Sequence, residues 1–208
     1  MKNMTKRIVA TIAASLMVTS VVAADAIQPI LLYDIGGKFD KSFNESAYNG
    51  AEQFKSEFGD NYRDFEPSSE TQYEQALKRF ARRKADLIVA VGVGYSVAVR
   101  NVAKRYPDVK FTVIDAIIDL PNVQSVTFME NEGSFLVGMI AAMKTDAKKI
   151  GFIGGMDIPL IRRFERGFRQ GAEYVRSDLT FTENYVGTTP SAWNDPIKAA
   201  EMAKSQYA

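Results

Sequence analysis

The chain's 208 residues include neither cysteine nor histidine, and 26 basic against 25 acidic residues leave a formal charge of +1. These counts exclude disulfide stapling and lipid attachment through a cysteine, remove the commonest metal ligand, and offer no basic surplus for holding nucleic acid. An apolar content of 46% favours a folded core.

Lys2, Lys6 and Arg7 precede an uncharged apolar stretch from Ile8 to Val22 and then small residues, the pattern of a secretory signal peptide over residues 1–24. That stretch falls short of the roughly 20 residues that span a bilayer. Val22 with Ala24 suits a cut before Asp25, and Ala24 with Ala26 suits one before Ile27. The mature chain, with 23 basic and 25 acidic residues, is expected to be free in a periplasm-like compartment.

Strand-like runs follow at 28–34, 62–66, 86–92, 110–115 and 123–128, alternating with helix-like runs at 43–58, 71–84, 95–106 and 132–145. Such alternation predicts an α/β class with a parallel sheet covered by helices, forming a first lobe over residues 27–146. Ser42 with Glu45 and Thr71 with Glu74 have capping-box spacing, and Pro107 ends the third helix. At Lys148 the pattern restarts with a strand and glycine turn over 150–155, a helix carrying Ile161, Phe164, Phe168 and Val175, a strand from Phe181 to Val186, and a helix from about Asn194. Residues 148–208 therefore read as the start of a second α/β lobe, expected to be incomplete because two strands make no typical sheet.

The most informative segment is Asp34-Ile-Gly-Gly-Lys-Phe-Asp-Lys-Ser-Phe-Asn44, a polar and aromatic loop at the carboxyl end of the first strand. Open α/β sheets bind ligands at that end. Phe43 either starts the apolar stripe of the following helix or offers a flat face for a ligand whose polar edge Asn44 reads. Asp34, Asp40, Asp115 and Asp119 supply carboxylates, which accept paired hydrogen bonds from vicinal hydroxyls; Asp119, before Leu-Pro, reads as a structural turn residue. Gly92-Val93-Gly94 with Asp115 imitates part of a dinucleotide fingerprint, but Val97 stands at the third glycine position and the motif follows the third strand. A turn whose backbone and Tyr95 approach another ligand, or a plain tight turn, fits better.

Four strings, Asp34 to Asn44, Lys104-Arg-Tyr-Pro-Asp-Val-Lys-Phe-Thr-Val-Ile-Asp115, Ser125-Val-Thr-Phe-Met-Glu-Asn-Glu-Gly-Ser-Phe-Leu-Val-Gly138 and Gly151-Phe-Ile-Gly-Gly-Met-Asp-Ile-Pro159, together resemble the basic membrane protein family. These are substrate-binding proteins of ABC transporters, of the purine-nucleoside receptor type. The resemblance implies a type I periplasmic-binding-protein fold, with two parallel-sheet lobes closing on a nucleoside, no cofactor, no catalysis, and a monomer that serves a membrane permease. It also implies site roles: Asp34, Asp40, Phe43 and Asn44 as the base-recognition loop, Asp115 as a sugar contact, Gly94 and Tyr95 as a cleft-lining turn, and Met156 and Trp193 as second-lobe contacts. Family members continue well past the length seen here, and many carry the lipid-anchor cysteine that this chain lacks. The competing expectation is an exported nucleoside hydrolase using Asp34 and Asp40, disfavoured by the missing histidine and cysteine.

Overall fold

The computed structural model describes residues 27–59 and 61–208, so the segment read as a signal peptide lies outside the described residues. The first sheet has five parallel strands: β1 (Pro29–Leu32), β2 (Arg63–Phe65), β3 (Leu87–Val91), β4 (Lys110–Ile114) and β5 (Val123–Val126), in the order β2-β1-β3-β4-β5. Its helices are α1 (Phe43–Phe58), α2 (Thr71–Arg82) and α3 (Ser96–Arg105). Every one of these elements falls within the run that the periodicity predicts.

Strand β1 is apolar throughout because both its faces are covered, as parallel sheets require. Ile30 and Leu32 point toward α2 and α3, where Leu77, Phe80, Val99 and Val102 complete the main core. Leu31 and Tyr33 point the other way and meet Ala47, Tyr48 and Ala51 of α1. Helix α3 stops at Arg105 because Tyr106, which precedes Pro107, is forced out of the helical region to φ −129 and ψ 68.

Neither predicted capping box forms. At α1 the Ser42 side chain makes no cap bond; the Asp40 carboxylate takes that place, and Glu45 reaches back to the Lys41 amide at 2.9 Å. At α2 the cap position falls on Glu70, while Glu74 pairs with Lys78 one turn on. Helix α1 starts where the spacing puts it, with Asp40 doing the capping, whereas the cap of α2 lies one residue before the position that the spacing gives.

The second unit contains α4 (Glu130–Lys144), β6 (Lys149–Met156), α5 (Pro159–Val175), β7 (Thr180–Gly187) and α6 (Pro196–Tyr207), with β6 and β7 paired in parallel. Here the structure departs from the sequence reading, which ended the first lobe after this fourth helix. Helix α4 packs on α5, and glycines on both helices explain how closely. A Cβ on Gly171 would stand 1.8 Å from the Phe135 carbonyl oxygen, and one on Gly138 would stand 1.9 Å from that of Phe168. The two helix backbones touch, so the contacts of α4 tie it to the second sheet. Among the described residues no helix is long and apolar enough to cross a membrane.

This packing separates two glycine substitutions by sign. Gly171→Ala is expected to destabilise the chain by about 1–3 kcal/mol through overpacking against backbone that cannot yield. Gly50→Ala, in α1 with nothing within 4 Å of the added methyl, is expected to stabilise it by roughly 0.5–1 kcal/mol through helix propensity. Denaturant melts of both variants check the pair of signs.

Candidate functional site: an interlobe cleft

The site starts where β1 ends. Gly36 and Gly37 take positive φ angles of 120° and 80°, which turn the chain back across the sheet edge toward α1. Asn44, only 1% exposed, locks this turn: its Oδ1 accepts from the Asp34 amide at 3.0 Å, and its Nδ2 donates to the carbonyls of Asp34 and Gly37, both at 3.1 Å. Asp40 accepts from the amides of Ser42, Asn44 and Glu45 at 2.8, 3.0 and 3.1 Å. A carboxylate at that place satisfies orphan N–H groups and meets the positive end of the helix dipole. These bonds hold the loop in one shape.

Phe43 opens α1 with 36% of its surface exposed and its ring on a cleft of about 440 Å³ between the two units. Asp34, Ile35 and Gly36, together with Gly92 and Val93 after β3, line the first-unit side, and Asp115 lines it from the end of β4. Leu160, Ile161 and Phe164 of α5, followed by Trp193 and Asn194 after β7, close the other side. Trp193 keeps 38% exposure, and its indole lies against Gly155, where a Cβ would stand 2.4 Å from the ring.

Of the residues singled out in the sequence, the structure brings Asp34, Asp40, Phe43, Asn44, Asp115 and Trp193 into this cleft. Three do not line it. Tyr95 is fully buried and donates to the Tyr33 carbonyl at 2.8 Å, because the short 3-10 turn Val93–Tyr95 rotates its ring into the core. Gly94 packs against the Tyr73 ring, and Met156 stays on the β6 ladder opposite Gly187. Asn44 is also corrected: it reaches the cleft, but its amide is spent on the loop rather than left to read a ligand edge. Asp119 is exposed and outside the cleft. Sequence reasoning missed Leu160, Phe164 and Val93, since apolar residues at helical spacing read as core stripe, and only the meeting of two units turns them into cleft wall.

Two carboxyls in the cleft are held above the usual carboxylate range. Burial raises Asp34, while hydrogen bonds from the Tyr73 hydroxyl and the Ile35 amide pull it down. Burial also raises Asp115, joined by the negative charge of Glu130 and opposed by Arg163. Glu130 itself is drawn below its usual range by Arg163, which donates to both its oxygens at 2.9 and 3.2 Å. The cleft thus combines two carboxyls, whose charged forms burial disfavours, with two partly exposed rings. No group of acidic residues among those described is placed to hold a metal.

Residues 27–208 match the family model described as ABC transporter substrate-binding protein PnrA-like. The chain belongs to this family. PnrA-like relatives include the ABC transporter nucleoside-binding protein BmpA of Lactococcus lactis subsp. cremoris, 33% identical over 186 residues covering 87% of this chain and 52% of that protein. Basic membrane protein A of Borreliella burgdorferi is 36% identical over 159 residues, covering 74% of this chain and 47% of its own length. Among solved structures, an ABC transporter solute-binding protein from Aeropyrum pernix K1 superposes with a TM-score of 0.74 at 32% identity, over 86% of this chain and 53% of that one. The PnrA-like chain accordingly has the type I periplasmic-binding-protein fold expected from its sequence. It spans about half the length of the curated relatives it matches.

The raised pKa of Asp115 gives a stability prediction with a definite sign. A group whose folded-state pKa lies above its unfolded one supports folding at low pH and loses that support as pH rises through the folded value. Asp115→Asn is therefore expected to raise the melting temperature at neutral pH and to leave it unchanged in acid. The backbone tolerates the change, because Asp115 sits at φ 66, a region asparagine also enters readily. Thermal melts from about pH 3 to pH 8 check it; an advantage that does not grow with pH would count against a penalised anion.

Proposed function

We propose that the chain forms the ligand-binding part of an exported ABC transporter substrate-binding protein, which takes a nucleoside-like ligand, most simply a purine nucleoside, into the interlobe cleft and presents it to a membrane permease. The observation that carries this reading is the pairing of rings with carboxylates. Phe43 and Trp193 expose flat faces from opposite units, while Asp34 and Asp115 offer acceptors in the same space. A base stacked on a ring and a sugar whose hydroxyls donate to Asp115 use both. The printed name of the L. lactis relative, a nucleoside-binding protein, supports the ligand class. The charged and apolar start of the sequence supports export, and a monomer suffices for a cleft built from one chain.

A nucleoside hydrolase using Asp34 and Asp40 fits less well. Three backbone amides occupy the Asp40 carboxylate oxygens, which commits them to the start of α1 rather than to a water or a ligand.

Titration calorimetry with adenosine, guanosine and inosine, followed by recovery of the ligand, tests the proposal. Unchanged nucleoside recovered from the protein is the expected result; free base with ribose would overturn it. Phe43→Ala should weaken binding by roughly ten-fold or more, as for loss of one stacked base, yet cost far less than the roughly 3–5 kcal/mol of a core phenylalanine. Phe43→Trp should keep most of the affinity, and Phe43→Leu should not.

A further inference from the structure

Tyr73 lines no part of the cleft, yet its side chain holds the cleft's most deeply set carboxylate. The residue lies in the first turn of α2, is 3% exposed, and stacks on Tyr95 with ring centroids 4.0 Å apart and planes 22° apart. Tyr95 is itself pinned, through its bond to the Tyr33 carbonyl, to the end of β1. From this platform the Tyr73 hydroxyl donates to Asp34 Oδ1, which also accepts from the Ile35 amide at 2.8 Å. The other oxygen, Oδ2, has no hydrogen-bond partner among the described residues. It lies against Gly92, where a Cβ would stand 2.4 Å away.

We infer that Tyr73 is a positioning residue of the cleft: by holding Oδ1 it fixes the carboxylate plane and turns Oδ2 toward the ligand as an acceptor for an N–H or O–H donor. The inference rests on the ligand-binding reading of the cleft and adds a residue to it. With Oδ1 satisfied by two donors and the Gly92 backbone behind Oδ2, the carboxylate has one orientation to offer, and a ligand does not have to order it. The hydroxyl also favours the ionised form of Asp34, against the burial that raises this carboxyl overall. The other titratable groups around it are Tyr95 beneath the stack, Asp40, committed to the α1 cap, and Asp115 at the end of β4 on the same side of the cleft.

Tyr73→Phe removes the hydroxyl and keeps the stacked ring. In the ligand-free chain, NMR titration of the Asp34 carboxyl carbon should show its midpoint move up in this variant; an unmoved midpoint overturns the inference. Adenosine calorimetry across the same pH range should show the acid limb of the affinity profile move up with it, and a roughly ten-fold loss on the acid side, as expected for a hydrogen bond to a charged group. Asp34→Asn should flatten that limb, which separates it from any limb due to Asp115. A purely structural tyrosine would lower the melting temperature without moving either titration. If adenosine fails to bind the wild-type chain while the Asp34 midpoint still moves, the nucleoside reading falls and the positioning contact stands. Independently of any variant, the Tyr73 hydroxyl proton should exchange slowly and shift as Asp34 titrates; a freely exchanging hydroxyl overturns the inference.

Discussion

The Asn44 side chain accepts from the Asp34 amide and donates to the carbonyls of Asp34 and Gly37, and its burial makes those bonds obligatory. Without them, three part-buried backbone groups of the loop after β1 would lose these partners, at a cost of up to about 1–3 kcal/mol each. The cleft depends on this one amide. It sets where Asp34 leaves the strand, and hence where the carboxylate meets Tyr73. It also sets where α1 begins, and hence which way Phe43 faces. Asp40 completes the arrangement from outside by capping the same helix turn that Asn44 anchors from inside.

Rigidity on this side contrasts with the construction of the other. The first unit offers a braced loop and strand ends, whereas the second presents the first turns of α5 and the short turn holding Trp193 and Asn194. Glu130 and Arg163 join the start of α4 to α5, so the ion pair nearest to Asp115 belongs to the second unit. Any shift of that unit relative to the first changes the field at Asp115, which couples the separation of the two units to the ionisation of a cleft carboxyl.

Much of the fold was legible because its signals are local. Apolar runs bounded by glycine and proline gave the strands, and helical spacing gave the helices, including α1 from Phe43 to Phe58. The cap chemistry was misread, because Ser42 and Asp40 are both plausible cap residues and the choice turns on a positive φ at Lys41 that no spacing rule reveals. The place of α4 was misread for a different reason: chain order puts it after β5, but Gly138, Gly167 and Gly171 let it sink onto α5, and that contact is non-local. At the site, charged and aromatic residues in a loop were visible as candidates. Tyr95 was not separable from a cleft residue in the sequence, since its burial depends on the stack with Tyr73, 22 residues earlier in the chain.

Gly155 touches no cleft surface, yet it supplies the recess that the Trp193 indole occupies. A methyl group there would stand 2.4 Å from the ring, and because the ring also lines the cleft, displacing it changes the shape of the cleft. The shape of the cleft can therefore change through a position that does not line it. A comparison restricted to the residues that line the cleft would miss the cause of such a change.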